Sequence, residues 1–93
     1  MTPLNGGLFA QTQPPAIYSG ATRLDLTPMA ARILTKLAST PAPVLRSDLI
    51  GTGGGVGKSE TLRVHICAIR KALPSGLAVE YLPDDGAYRL ALA

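Results

Sequence analysis

Aromatic residues are nearly missing from this chain: Phe9, Tyr18, Tyr81 and Tyr88 are the whole set, and there is no tryptophan. Any core must therefore be assembled from Leu, Ile, Val and Ala. Cysteine is scarcer still, since Cys67 stands alone, which rules out an internal disulfide and a cysteine-based zinc site. Histidine is also single. His65 has no carboxylate at a helical neighbour position and reads as an imidazole at the edge of a buried stripe. Cys67 has basic neighbours at i+3 and i+4 but no second cysteine or partner base, so it reads as a small helix-face residue rather than a nucleophile. No two carboxylates share a helix face. The expectation is a non-enzyme with no metal and no cofactor. No apolar run approaches the roughly 18–20 residues of a membrane span, and no basic n-region opens the chain. A cytoplasmic protein without a membrane partner is expected.

Charge is modest in amount but uneven in placement. The formal net charge is +3. Residues 46–71 hold Arg46, Lys58, Arg63, Arg70 and Lys71 against Asp48 and Glu60, while Arg23, Arg32, Lys36 and Arg89 elsewhere are balanced by Asp25, Glu80, Asp84 and Asp85. The entire excess thus lies in one segment. Positive charge gathered in this way favours a polyanionic partner, although a merely solvated helix face would carry it too.

Ninety-three residues make one small domain. Residues 1–15 carry no charge, contain two glycines and end in a proline pair, the pattern of a flexible N-terminal tail in which Leu8 and Phe9 are the candidates for docking; the domain proper is expected over 16–93. AIYSGATRLDL reads as two short strands around Ser19-Gly20. In LTPMAARILTKLAST, Thr27 is a good N-cap and Pro28 suits the first helical position, with Met29, Ile33, Leu34 and Leu37 forming a buried stripe. Pro41 and Pro43 close that helix. Val44-Leu45 suits a brief strand, and RSDLI, capped by Ser47, starts a second helix that Gly51 cuts short.

A third helix opens at Lys58 or Ser59. At about 100° per residue, Leu62, Ile66, Ile69 and Leu73 fall within about 60° of one another and form its core face. Glu60, Val64, Cys67, Ala68 and Lys71 lie opposite, flanked by Arg63 and Arg70. Pro74-Ser75-Gly76 stops this helix. Two strands, 78–82 and 87–91, follow around Pro83-Asp84-Asp85-Gly86, a good type I turn sequence. Tyr88 and Leu90 share one face of the second strand and Arg89 projects from the other.

The stretch GTGGGVGKSE is a loop, because consecutive glycines lose too much backbone entropy in a helix. Gly57, Lys58 and Ser59 supply the end of a P-loop, but the position of its first glycine holds Thr52, and the preceding buried strand that motif requires is missing. A phosphate at the helix N-terminus stays open as a weaker reading.

The last third of the chain is similar to a known family. TLRVHICAIRKAL followed by a hairpin ending GAYRL resembles the winged-helix DNA-binding domain of OmpR/PhoB-type response regulators, whose recognition helix is patterned T-V-D-V-H-I-x-x-L-R-x-x-L and whose wing closes with G-x-G-Y-R. Thr61, Leu62, Val64, His65, Ile66, Ile69, Arg70 and Leu73 fill that pattern without a gap, and Tyr88 and Arg89 match the end of the wing. The resemblance extends over about residues 17–92. It implies an α+β winged helix-turn-helix: short N-terminal antiparallel strands, three helices and a C-terminal hairpin wing. The third helix would lie in the major groove of double-stranded DNA, with Thr61 and Val64 facing bases and His65 and Arg70 at or near the backbone. The helical projection and the basic cluster add Lys58, Ser59, Arg63, Cys67, Ala68 and Lys71, and Arg89 completes the candidate set.

Some positions depart from the family. Cys67 and Ala68 stand where basic residues are frequent, Asp84 and Asp85 occupy the wing tip, and Ala87 replaces the second wing glycine. The chain leaves no room for a receiver domain, so a free-standing regulator, able to pair on DNA, is expected. A second reading stays open. The apolar outer patch of Val64, Cys67 and Ala68, with the acidic wing, would suit a protein-interaction module gripping RNA polymerase or another regulator.

Overall fold

A computed structural model of the chain describes residues 2–52 and 59–92. The chain opens with β1 (Thr2–Pro3), a 3₁₀ turn (Asn5–Gly7), β2 (Leu8–Gln11), β3 (Ala16–Ser19) and β4 (Thr22–Arg23). These strands form one antiparallel sheet in sequential order. Three helices come next: α1 (Pro28–Ala38), α2 (Arg46–Thr52) and α3 (Ser59–Ala72), with β5 (Val44–Leu45) between the first two. The hairpin β6 (Leu77–Leu82) and β7 (Ala87–Leu92) ends the chain, and β5 pairs with β7 to give a second antiparallel sheet ordered β5-β7-β6. The described residues therefore form an α+β domain with three α-helices and two antiparallel sheets.

Helix α1 lies at the centre. The Thr27 hydroxyl accepts a hydrogen bond from the Ala30 amide at 3.2 Å, satisfying one of the amide donors that a helix start leaves unpaired. Pro28 follows at the first helical position. The buried set on α1 is wider than the expected stripe: Ala30, Ala31, Ile33, Leu34, Leu37 and Ala38 are all shielded, while Met29 is half-buried. The three alanines widen the stripe because a methyl side chain lets a neighbouring element approach closely. As a result α1 touches α2, α3, β3 and β7. The core is wholly aliphatic apart from Tyr88, and no polar or charged side chain is buried among the described residues.

The N-terminal segment corrects the reading of residues 1–15 as a flexible tail. Residues 2–11 are sheet and turn, and Leu8 and Ala10 are buried beneath an outward Phe9. Alternation along β2 is the physical reason: two apolar side chains at i and i+2 reach the core on one face of a strand. The turn at Gly6 is pressed against the hairpin, where an added Cβ would stand 2.8 Å from a Leu77 methyl. Its φ of 75° also favours glycine.

Two smaller expectations shift. Helix α2 starts at Arg46 rather than after a Ser47 cap, and it continues through Gly51 to Thr52. The hairpin strands run one residue further at each outer end than expected. Its turn is closed by the Asp85 amide donating to the Leu82 carbonyl at 3.2 Å, with Gly86 at φ 59°. Among the described residues no helix is long and apolar enough to cross a membrane.

The buried face of β2 yields a prediction. Leu8→Ala should destabilise the protein by about 2–5 kcal/mol, the usual range for truncating a fully buried leucine, read as a lowered midpoint in urea denaturation. An unchanged midpoint would return residues 2–11 to a tail.

Candidate functional site

The two sides of α3 differ sharply. Leu62, Ile66 and Ile69 are buried and face α1, and Leu73 lies half-buried just beyond the helix end. On the outer side Arg63, Cys67, Arg70 and Lys71 are exposed, Val64 is 66% exposed, and His65 and Ala68 are half-buried. The helical projection of the sequence thus assigns both faces correctly from residue 62 onward. Lys58 lies outside the described residues, as do the side chains of Ser59 and Thr61.

Electrostatics separate the candidate cations into two groups. The side chains of Arg63 and Lys71 make no hydrogen bond or ion pair among the described residues, and that of Arg46, at the start of α2, is in the same condition. The other two are engaged, which corrects the expectation that all the arginines reach freely outward. Arg70 donates from Nε and Nη2 to the Val79 carbonyl at 3.3 and 3.2 Å, fastening α3 to β6. Only part of its fork is used, because a guanidinium carries five N–H donors. Arg89 donates from Nη2 to Glu80 Oε2 at 2.6 Å.

Register explains the position of Arg89. Tyr81 pairs with Tyr88 and Glu80 with Arg89. Adjacent rungs of a sheet face opposite ways, so the tyrosines lie on the α3 side and the ion pair on the other. Arg89 is therefore separated from the α3 cations, and the structure does not bring it into their group. Asp84 and Asp85 are exposed at the turn.

The register also assembles residues that the sequence reading did not select. Arg46, Arg63, Ile66, Arg70, Tyr81 and Tyr88 line one cleft of about 300 Å³ between α2, α3 and the hairpin. The two tyrosine rings lie 5.0 Å apart at 47°, within the range of favourable aromatic contact. Signals for this grouping were present in the sequence. Arg46 belongs to the segment holding the entire charge excess, and the turn sequence sets Tyr81 opposite Tyr88. Among the described residues no three His, Cys, Asp or Glu side chains lie close enough together to hold a metal ion.

No family model and no curated protein matches the chain. A solved structure described as "A novel family of redox sensors in the streptococci evolved from two-component response regulators" is similar in fold. The TM-score is 0.74 at 16% identity, over 100% of this chain and 44% of that chain. The present chain therefore spans less than half the length of that structural neighbour. The likeness shows that this chain shares its fold with part of that structure.

The two engaged arginines differ in what they hold together, and their variants should separate them. Arg70→Ala removes the donors to a backbone carbonyl and unfastens α3 from β6; a loss of about 1 kcal/mol is expected. Glu80→Gln disrupts only an exposed pair and should change stability by less than about 0.5 kcal/mol. Paired urea titrations check this, and equal costs for the two variants would refute the tethering role of Arg70.

Proposed function

We propose that this domain is a winged helix-turn-helix transcription regulator that binds double-stranded DNA, with α3 in the major groove and the β6–β7 hairpin as its wing. The observation that carries this reading is the outer face of α3. It presents Arg63 and Lys71, unpaired among the described residues, around the exposed, rigid side chain of Val64. Cations on the flanks suit phosphate contacts, which set register and supply most of the affinity. An apolar β-branched side chain at the centre suits a thymine methyl, the apolar mark on a major-groove edge. The response-regulator-related fold supports the same assignment of parts. His65 and Arg70 lie beside this face, at or near the backbone in the proposed complex. Cys67 and Ala68 give it a neutral surface, so base readout is chiefly apolar.

A second reading has its own observation. The hairpin turn exposes Asp84 and Asp85, and carboxylates there repel a phosphate backbone. A protein partner, RNA polymerase or another regulator, would accept both the acidic tip and the apolar patch around Val64.

Salt separates the two. Binding of fluorescent random-sequence duplexes, measured by anisotropy between 50 and 200 mM salt (roughly the range over which phosphate contacts weaken strongly), should fall with a log–log slope of about −0.9 per phosphate contacted. Val64→Ala should leave that slope intact while altering sequence preference in a selection from random duplexes. A flat salt response, or no retention on duplex DNA, would favour the protein-binding module.

A further inference from the structure

We infer that the cleft between α2, α3 and the hairpin is a preformed seat for a single phosphate group, held by Arg46, Arg63 and Arg70 with Tyr81 beside them. That its natural occupant is a phosphodiester of the DNA backbone rests on the reading of the domain as a DNA binder; the seat itself rests on the side chains.

Three arginines from α2 and α3 line a single cleft, and among the described residues no carboxylate lines it with them. Among the described residues, Glu80 is paired with Arg89, and Asp48 has a partner of its own. The side chains of Arg46 and Arg63 make no hydrogen bond or ion pair among the described residues. Like charges gathered without a counter-ion repel one another, and a bound anion turns that repulsion into attraction. Arginine forks match the oxygens of a phosphate in pairs. A tetrahedral oxyanion has enough acceptors to occupy several forks, whereas one carboxylate is satisfied by a single fork.

The seat is also pre-organised. Arg70 is fixed by its bonds to the Val79 carbonyl, so little side-chain entropy remains to be lost when an anion arrives. Tyr88 is buried and its ring supports that of Tyr81, which is 42% exposed and carries a hydroxyl donor. Ile66 supplies an apolar wall, which strengthens charge interactions at the cleft. The resembling family motif does not account for this cluster, because Arg63 stands at the position that motif fills with aspartate.

The test compares the full chain with Arg46→Gln, and with Arg63→Gln as a second variant. Both side chains are exposed and without a partner among the described residues, so both variants should fold, with melting temperatures in dilute chloride no lower than that of the unsubstituted chain. In one arm, inorganic phosphate is titrated against chloride at matched ionic strength. The unsubstituted chain should show a saturable rise in Tm that either variant abolishes. In the other arm, duplex affinity should fall about tenfold in Arg46→Gln on every sequence, with the salt slope reduced by about one unit. If phosphate raises Tm in an Arg46-dependent way while duplex DNA is not bound, the seat stands and the DNA reading falls. If DNA binds with an unchanged slope in both variants, the DNA reading stands and the seat is overturned. A phosphate response equal in all three proteins also overturns it.

Discussion

Everything in this domain is referred to the packing of α1. Its buried arc takes in six of its eleven residues, three of them alanines. That breadth lets one short helix serve as common support for the N-terminal sheet, for α2 and α3, and for β7. In a chain with so few aromatics, no single large side chain can span the gaps between these elements. Close approach through alanine and interdigitation of leucine and isoleucine must close them instead. A substitution enlarging Ala31 or Ala38 would therefore push apart the elements that pack on α1.

The outer face of α3 follows from that support. With Leu62, Ile66 and Ile69 committed to the core, the helix cannot rotate without burying Arg63 or Lys71. Its cationic side is fixed by the apolar side, as burying an unpaired charge is far more costly than exposing an aliphatic one. Tilt relative to the hairpin is controlled separately, by the bonds from Arg70 to the Val79 carbonyl. One arginine of the basic segment thus holds the frame in which the others act.

How much of this was legible in the sequence depends on the range of the interactions involved. Local signals were decisive where one element settles its own form: the Thr27-Pro28 helix start, the strand pair around Gly20 with its turn one residue later than expected, the two faces of α3 and the Pro83–Gly86 turn. The N-terminal strands were hidden because β2 is only four residues long, and the glycines and prolines around it mimic a tail. Its pairing with β3 is a tertiary fact. The engagement of Arg89 with Glu80 was half legible, since the hairpin turn already sets the two opposite each other. The capture of Arg70 by a backbone carbonyl was not, because carbonyls leave no mark on a residue pattern. The cleft was missed although the turn sets Tyr81 opposite Tyr88, because it gathers positions 46, 63, 70, 81 and 88 from four elements.

The hairpin distributes charge in a way that bears on how any polyanion could approach. Its tyrosine rung faces the arginine cleft. The neighbouring rung, Glu80 with Arg89, is neutral overall and faces away, and the turn carries two exposed carboxylates. The field around the hairpin therefore runs from positive at the α3 side to negative at the tip within two or three residues. A phosphate backbone drawn in by Arg46, Arg63 and Lys71 would be turned away from the tip. The same gradient that attracts a polyanion to one side of the domain thus limits the orientations in which it can dock. An approach that leaves the hairpin turn outside the contact satisfies both charges at once.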